Sequence, residues 1–316
     1  MLRSLFFEKK VRMMKSKQLL NPYIIVGIGV LAVSTSAIFV KLTSAPSGVT
    51  AFYRMFFTVL MMLPVFLFKY ISEIKHISKR DWLLCTCAGI FLSFHFILWF
   101  ESLNYTSVAS STVLVTLQPL FAFIGGFLFF KERYSIVAII SALIAIAGSF
   151  IIGWGDFQYS GFALFGDLLA LFACALITGY LMFGQAVRKR VSSVTYTFAV
   201  YGISSVVLFI YVLLVNEPFL DYSAKDWTCF IMLALIPNLF GHSLFNWSLK
   251  WVSTTVISMA ILFEPVGASI MAYFILDEKL MPAQIFGGLI VIGGLLLFTV
   301  SNKFPSRQKS TCHCER

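Results

Sequence analysis

Ten stretches of about twenty mostly apolar residues follow one another along the chain, each closed off by charge, proline or glycine. They run approximately 22–41, 49–68, 82–102, 106–130, 135–153, 162–187, 195–215, 228–249, 254–276 and 283–301. A helix needs about 20 such residues to cross the ~30 Å hydrocarbon core of a bilayer. The runs are continuous rather than alternating, which excludes the dyad pattern of membrane barrels. Only 12% of the 316 residues are charged, about half the share of a soluble domain. Lipid must therefore face most of the chain. The expected fold is an all-α integral membrane protein with ten transmembrane helices.

The cations are sorted by loop. With the N-terminus placed inside, the inner segments hold Arg3, Lys9, Lys10, Arg12, Lys15 and Lys17, then Lys69, Lys75, Lys79 and Arg80, then Lys131 and Arg133. Arg188, Lys189, Arg190, Lys250, Lys303, Arg307, Lys309 and Arg316 fall on the same side. The outer side keeps Lys41, Lys225 and Lys279, beside Asp156, Glu217, Asp221, Asp226, Asp277 and Glu278. Short cytoplasmic loops carry the excess of Lys and Arg, so both termini are expected in the cytoplasm and the protein in the cell inner membrane. The formal charge of +10 then belongs to membrane topology, and no nucleic-acid partner is expected. The basic N-terminus imitates a signal peptide, but the run from Tyr23 to Val40 is long for an h-region, and Lys41 and Pro46 stand where a cleavage site would lie. The first span is read as uncleaved, with Met13 and Met14 as alternative starts.

Cys85, Cys87, Cys174 and Cys229 lie inside apolar runs, where a free thiol behaves as a small hydrophobe. Cys312-His313-Cys314 falls short of the four ligands of a structural zinc site. No metal and no cofactor is expected.

A shift of 146 residues lays 249–298 over 103–152 without a gap. Gln118-Pro119 falls on Glu264-Pro265, Glu132 on Glu278, and Ile146-Ala147-Gly148 on Ile292-Gly293-Gly294. Internal symmetry of this kind marks transporter repeats. Five spans per half is an odd number, so the second half is expected upside down, with basic Lys131-Glu132-Arg133 inside and the matching acidic Asp277-Glu278-Lys279 outside. The expected organisation is a basic tail over 1–21, a first repeat over 22–153, an outer linker over 154–161, a second repeat over 162–301 and a tail over 302–316.

The doubled pattern is carried by Leu249, Ser253, Pro265, Ala268, Glu278, Gly287 and Gly294, with Pro119, Ala122 and Glu132 in the first half. It resembles the half-repeat of the EamA family in the drug/metabolite transporter superfamily. Gly166-Asp167-Leu168-Leu169-Ala170 is similar to that family's opening of the second half. The resemblance covers nearly the whole chain. It implies a carrier of small metabolites, often outward, with a central cavity lined by the first four helices of each half. The fifth and tenth helices would be peripheral and available to a homodimer contact. Ser34-Thr35-Ser36 departs from the family, where a Trp or another bulky residue is common.

Charge at the bilayer centre costs about 2.5–3.5 kcal/mol on insertion scales. Glu264, in the middle of the ninth span, is expected to serve transport. For Arg54, a quarter of the way into the second span, two readings stay open: a helix-end anchor or a functional cation. Pro119 and Pro265 leave the carbonyls of Val115 and Ile261 without helical partners, so each helix is expected to kink beside Gln118 or Glu264 and to open onto a cavity. Asn238, His242 and Asn246, four residues apart, are expected along one face of the eighth span. His95 and Trp99 share a face with Ser102 in the third, and Tyr180 lies in the sixth. Packing through interhelical hydrogen bonds competes with a binding role at each of these. Asp167 is expected to cap its own helix.

The reading adopted is a secondary active exporter or exchanger of a small metabolite or amino-acid-like solute, and not an enzyme. Its partners are the small-molecule substrate and the lipid bilayer. The alternative is a lipid-linked, flippase-like carrier of the same superfamily. An intramembrane aspartyl protease would explain the GxGD string Gly153-Trp154-Gly155-Asp156, but a second carboxyl close enough to share a proton is missing. No nucleotide-binding loop is present to support ATP-driven transport.

Overall fold

The computed structural model describes residues 20–106, 108–153, 161–275 and 281–303. Asp156, Asp277–Lys279, both terminal tails and the Cys312-His313-Cys314 cluster lie outside the described residues. Those described form helices and their connections. Among the described residues, nine helices are long and apolar enough to cross a membrane, and a tenth apolar helix, Ile136–Ile152, is shorter. Phe68, Phe127, Phe129, Phe274 and Leu214 point outward, fully or largely exposed, as side chains facing lipid do.

Three of the long helices are broken, and one is locally unwound. The first consists of α1 (Pro22–Val33) and α2 (Ser36–Leu42). At its break, the hydroxyls of Ser34 and Thr35 donate to the carbonyls of Val30 and Ala32, a back-bonding that bends helices. Next come α3 (Ser47–Lys69) and α4 (Lys79–Tyr105). The fourth long helix is split into α5 (Val108–Val115) and α6 (Gln118–Phe130). The series continues with α7 (Ile136–Gly153), α8 (Gly161–Val187) and α9 (Ser193–Leu214). Then α10 (Ala224–Leu233) runs through a π-helical segment, Ala234–His242, into α11 (Ser243–Ser248). Pro237 inside that segment has no N–H to give, and the wider turn takes up the lost bond. The last broken helix comprises α12 (Thr254–Ile261) and α13 (Glu264–Ile275), and α14 (Pro282–Lys303) closes the described chain.

The two proline breaks are alike. Leu117 N–H donates to the Leu114 carbonyl and Phe263 N–H to the Ala260 carbonyl, at 3.3 and 3.1 Å. These i→i−3 bonds tighten the turn before Gln118-Pro119 and Glu264-Pro265. Each proline then sits in the first turn of a new helix, where its missing donor costs nothing.

Helix starts are fixed by side-chain oxygens. Ser78, Ser192 and Ser223 accept from the backbone N–H of Asp81, Thr195 and Asp226, and Asp226 returns the bond to complete a capping box. The helices α4 and α8 pack along each other, α3 packs on α9, and α1 packs on the π segment and α11. On the periphery α7 runs against α14 at backbone contact. A Cβ at Gly148 would lie 2.7 Å from the Gly287 carbonyl oxygen, and one at Gly294 would lie 2.9 Å from that of Ser141. Small residues of this kind let membrane helices approach closely.

Candidate substrate cavity

The breaks at Ser34, Thr116 and Leu262 surround a small buried cavity. Val33, Ser36, His95, Trp99, Val115 and Gln118 line it from the first half of the chain, and Ile177, His242, Phe245, Ile261 and Glu264 from the second. Val115 and Gln118 are the counterparts of Ile261 and Glu264 under the 146-residue shift. The enclosed volume is about 20 Å³, room for about one water molecule. The conformation is thus closed around its centre.

The cavity wall leaves polar groups unpaired. Trp99 Nε1, Gln118 Oε1 and His242 Nδ1 are buried with no hydrogen-bond partner. The large majority of buried side-chain polar atoms in native interiors are paired, so three unpaired atoms around one cavity are groups that a bound polar solute can satisfy. His95 packs its ring on Trp99, centroids 5.8 Å apart and 19° from parallel. Its Nδ1 lies 2.9 Å from the Ala173 carbonyl. A carbonyl only accepts, so this nitrogen carries the hydrogen.

Arg54 lies directly behind the wall, 0% exposed. Its Nε donates to Asn238 Oδ1 at 2.9 Å and one terminal nitrogen to Ser36 Oγ at 2.7 Å. The guanidinium sits 4.1 Å from the centre of the Phe96 ring. The other terminal nitrogen has no partner. Full burial excludes snorkelling to an interface. Arg54 is instead tied to the cavity through Ser36, beside the break in the first long helix. Among the described residues it makes no ion pair, since the pair formed there is Arg190 with Asp81.

Of the nine residues singled out from sequence, His95, Trp99, Gln118, His242 and Glu264 converge on the cavity, and Arg54 reaches it through Ser36. The other three stand one layer back. Asn238 holds Arg54 and donates to Thr58 Oγ1 at 3.1 Å. Asn246 accepts from the Tyr180 hydroxyl at 2.8 Å and donates to Thr197. Asn238, His242 and Asn246 therefore do not act as one polar stripe. The π turn alters the four-residue register between them, and each meets different partners. Pro119 and Pro265 lie where the broken helices restart. Asp167 does not cap its helix, which begins six residues earlier; it accepts from Thr106 Oγ1 at 2.9 Å, beyond the end of α4. Ser36, Phe96 and Phe245 were not visible as site residues in the sequence.

Polar clusters tie the helix ends together on both sides of the bundle. At the end where the loop cations gather, Lys131 adopts a left-handed φ of 54° and turns Glu132 back over the helix ends. Glu132 accepts from Gln185 Nε2 at 2.8 Å, the Tyr134 hydroxyl at 2.9 Å and Thr255 Oγ1 at 3.3 Å. Gln185 Oε1 in turn accepts from the Thr254 N–H at 2.5 Å. Burial raises the pKa of the Tyr134 phenol above its usual range, so it remains a donor to Glu132. Nearby, Arg188 donates to the carbonyls of Asn246 and Val191; burial lowers its pKa to about 10, which keeps it charged at neutral pH. At the opposite end Asp226 accepts from Thr43 Oγ1 at 2.8 Å and from the Ser44 N–H at 2.7 Å. Lys41 Nζ donates to the Leu103 carbonyl at 2.8 Å.

Comparison with known proteins agrees with this architecture. The model of the EamA-like transporter family matches residues 21–154 and again 164–300. The uncharacterized transporter YxxF of Bacillus subtilis is 24% identical over 90% of this chain and 91% of its own length. The riboflavin transporter ImpX of Fusobacterium nucleatum is 23% identical over 73% of this chain and 81% of its own. A crystal structure sharing 17% identity superposes with a TM-score of 0.73, covering 89% of this chain and 97% of the other. The chain is a multi-pass membrane protein that belongs to the EamA-like transporter family.

Proposed function

We propose that the protein is a secondary active transporter that moves a polar small metabolite or amino-acid-like solute across the cytoplasmic membrane by alternating access, as an exporter or exchanger. The observation that carries this reading is the small cavity with three orphaned polar atoms on its wall, the Glu264 carboxyl beside them and the Arg54 guanidinium behind it. Such a set suits a solute bearing both a hydrogen-bonding group and a charge.

The ten-span, inverted arrangement with both termini in the cytoplasm belongs to this proposal. The loop cations support it, and so does the packing. The contact of the third long helix with the sixth, α4 on α8, has a counterpart in the eighth on the first, the π segment and α11 on α1. That exchange is what a two-fold axis in the membrane plane produces. The alternative of a lipid-linked carrier would use the cleft of about 420 Å³ between α1, α12 and α14. Its walls include Val26, Leu31, Met259 and Phe298, with no charged side chain, and so lack a counter-ion for a phosphate head.

The test is uptake and counterflow in proteoliposomes against a panel of metabolites found to change in the medium on overexpression. Movement of one of them down its gradient or in exchange, without ATP, is expected. A protein that moves none of them and hydrolyses ATP or a peptide would overturn the reading. Reporter fusions after Arg190 and Arg316 should both read cytoplasmic, and an outside signal at either breaks the topology.

A further inference from the structure

A third hollow lies away from the central cavity, on the surface of the bundle where α3, α4 and α9 meet at the cation-rich end. It measures about 350 Å³, and its walls include Phe66, Trp82, Phe198, Gly202, Ile203 and Val206. That volume is within the roughly 300–1,000 Å³ of ordinary small-ligand sites. Phe66 and Phe198 stack with centroids 4.0 Å apart and form a flat apolar wall. A Cβ added to Gly202 would meet nothing within 4 Å, so the missing side chain leaves the trough open. The hydroxyl of Thr195, which also lines the trough, is already bound to Glu73.

The rim has the opposite character. Lys75 follows the lining residue Ile74, and Lys79 and Arg80 precede Trp82; all three cations are exposed. The acids beside them are engaged elsewhere. Glu73 accepts from the backbone N–H and hydroxyl of Ser192 and from Thr195, while Asp81 is bidentate with Arg190 and accepts from Ser78. Three exposed cations, none in an ion pair among the described residues, therefore flank in sequence the residues that line an apolar trough.

We propose that this trough is a binding site for an anionic phospholipid, with an acyl chain lying over Gly202 and the headgroup phosphate held by Lys75, Lys79 and Arg80. Basic clusters at the mouth of an interhelical groove suit such headgroups. Trp82 sits where an interfacial indole belongs. The lipid bridges α3 and α4 of the first half to α9 of the second. The assignment to the cytoplasmic leaflet rests on the topology proposed above; the site itself does not depend on the transport reading.

The experiment uses the purified full chain in nanodiscs and reads quenching of Trp82 by brominated phosphatidylglycerol against brominated phosphatidylcholine. A Trp82→Phe protein supplies the background of the other tryptophans. Half-maximal quenching is expected at a lower mole fraction of phosphatidylglycerol, and each cation removed should weaken that preference about fivefold. Joint replacement of Lys75, Lys79 and Arg80 by Gln should abolish it, and Gly202→Phe should remove the specific component by filling the trough. Equal quenching by the two lipids in the wild-type protein would mean annular lipid only and overturn the proposal. A preference that survives the triple replacement would overturn it as well. Neither result would bear on transport in proteoliposomes.

Discussion

Replacing Glu132 with Ala should release the clasp at the basic end and expose the cavity from that side. Three contacts to the carboxylate disappear, from Gln185, Tyr134 and Thr255. Side-chain hydrogen bonds in membrane proteins average about 0.6 kcal/mol and reach about 1.7, with charged acceptors toward the upper end. Their loss shifts the balance between closed and open forms by about 2–5 kcal/mol. At about 1.4 kcal/mol per tenfold, the open fraction rises by a factor between roughly thirty and a few thousand. Ser258, fully buried on α12, lies between clasp and cavity and is a suitable reporter. In a chain freed of its native cysteines, Ser258→Cys should react with a membrane-impermeant thiol reagent from the cytoplasmic side faster by that factor, until the open form dominates. Glu132→Gln, which keeps one carbonyl acceptor, should fall between. An unchanged rate, or an acceleration only from the outer side, would refute the clasp as a gate.

At the other end Asp226→Asn should bias the protein the opposite way, slowing labelling of the same reporter from the basic end; a faster reaction from that end would contradict the two-clasp scheme. Glu264→Gln preserves shape and copies the amide already at Gln118, so expression should hold while transport falls at least about tenfold, as intramembrane carboxylates are functional by default; wild-type transport at every pH would leave Glu264 a packing residue. Asn238→Leu strands Arg54 Nε without its acceptor, a loss of about 1–3 kcal/mol or more, and should lower the Tm in detergent by several degrees; an unchanged melting curve would show that another group takes over. Gly287→Leu forces a side chain into a backbone contact 2.6 Å from the Gly148 carbonyl and should sharply reduce the monodisperse yield on size exclusion, with Gly287→Ala milder; full recovery of the Leu variant would show that the seam can spread.

The elements most legible in the sequence were those fixed by local chemistry. Twenty apolar residues between charges specify a span whatever surrounds it. Pro119 and Pro265 announced the breaks at Thr116–Leu117 and Leu262–Phe263 because a missing N–H acts on its own helix. The break at Ser34–Thr35 was harder to read, since hydroxyls inside a span bend a helix only when they bond their own carbonyls. Partnerships across the fold were not legible. Arg54 meets Ser36 and Asn238, 18 and 184 residues away, and nothing local distinguishes those two from other buried polar residues. Glu132 stood out as a repeat marker, yet its partners Gln185 and Thr255 carry no signal of their own. The expectation that Asp167 would cap its helix fails because that helix already starts at Gly161, six residues earlier, and the carboxylate instead takes a bond from Thr106 just beyond α4.

The glycine seam between α7 and α14 bears on the ancestry of such a chain. The 146-residue correspondence puts Gly148 on Gly294 and Ser141 on Gly287. The contact of Gly148 with Gly287 thus becomes that of Gly294 with Ser141, and both contacts are made. Each side meets the other through the same two positions, as identical subunits do across a two-fold axis. On the inverted arrangement proposed above, a five-helix ancestor pairing with a copy of itself would have buried this surface before gene duplication and fusion joined the copies. Once joined, the halves no longer had to match. They remained alike along the seam, where backbone contact tolerates only small residues, and diverged at the cavity, where one kept an amide and the other a carboxylate.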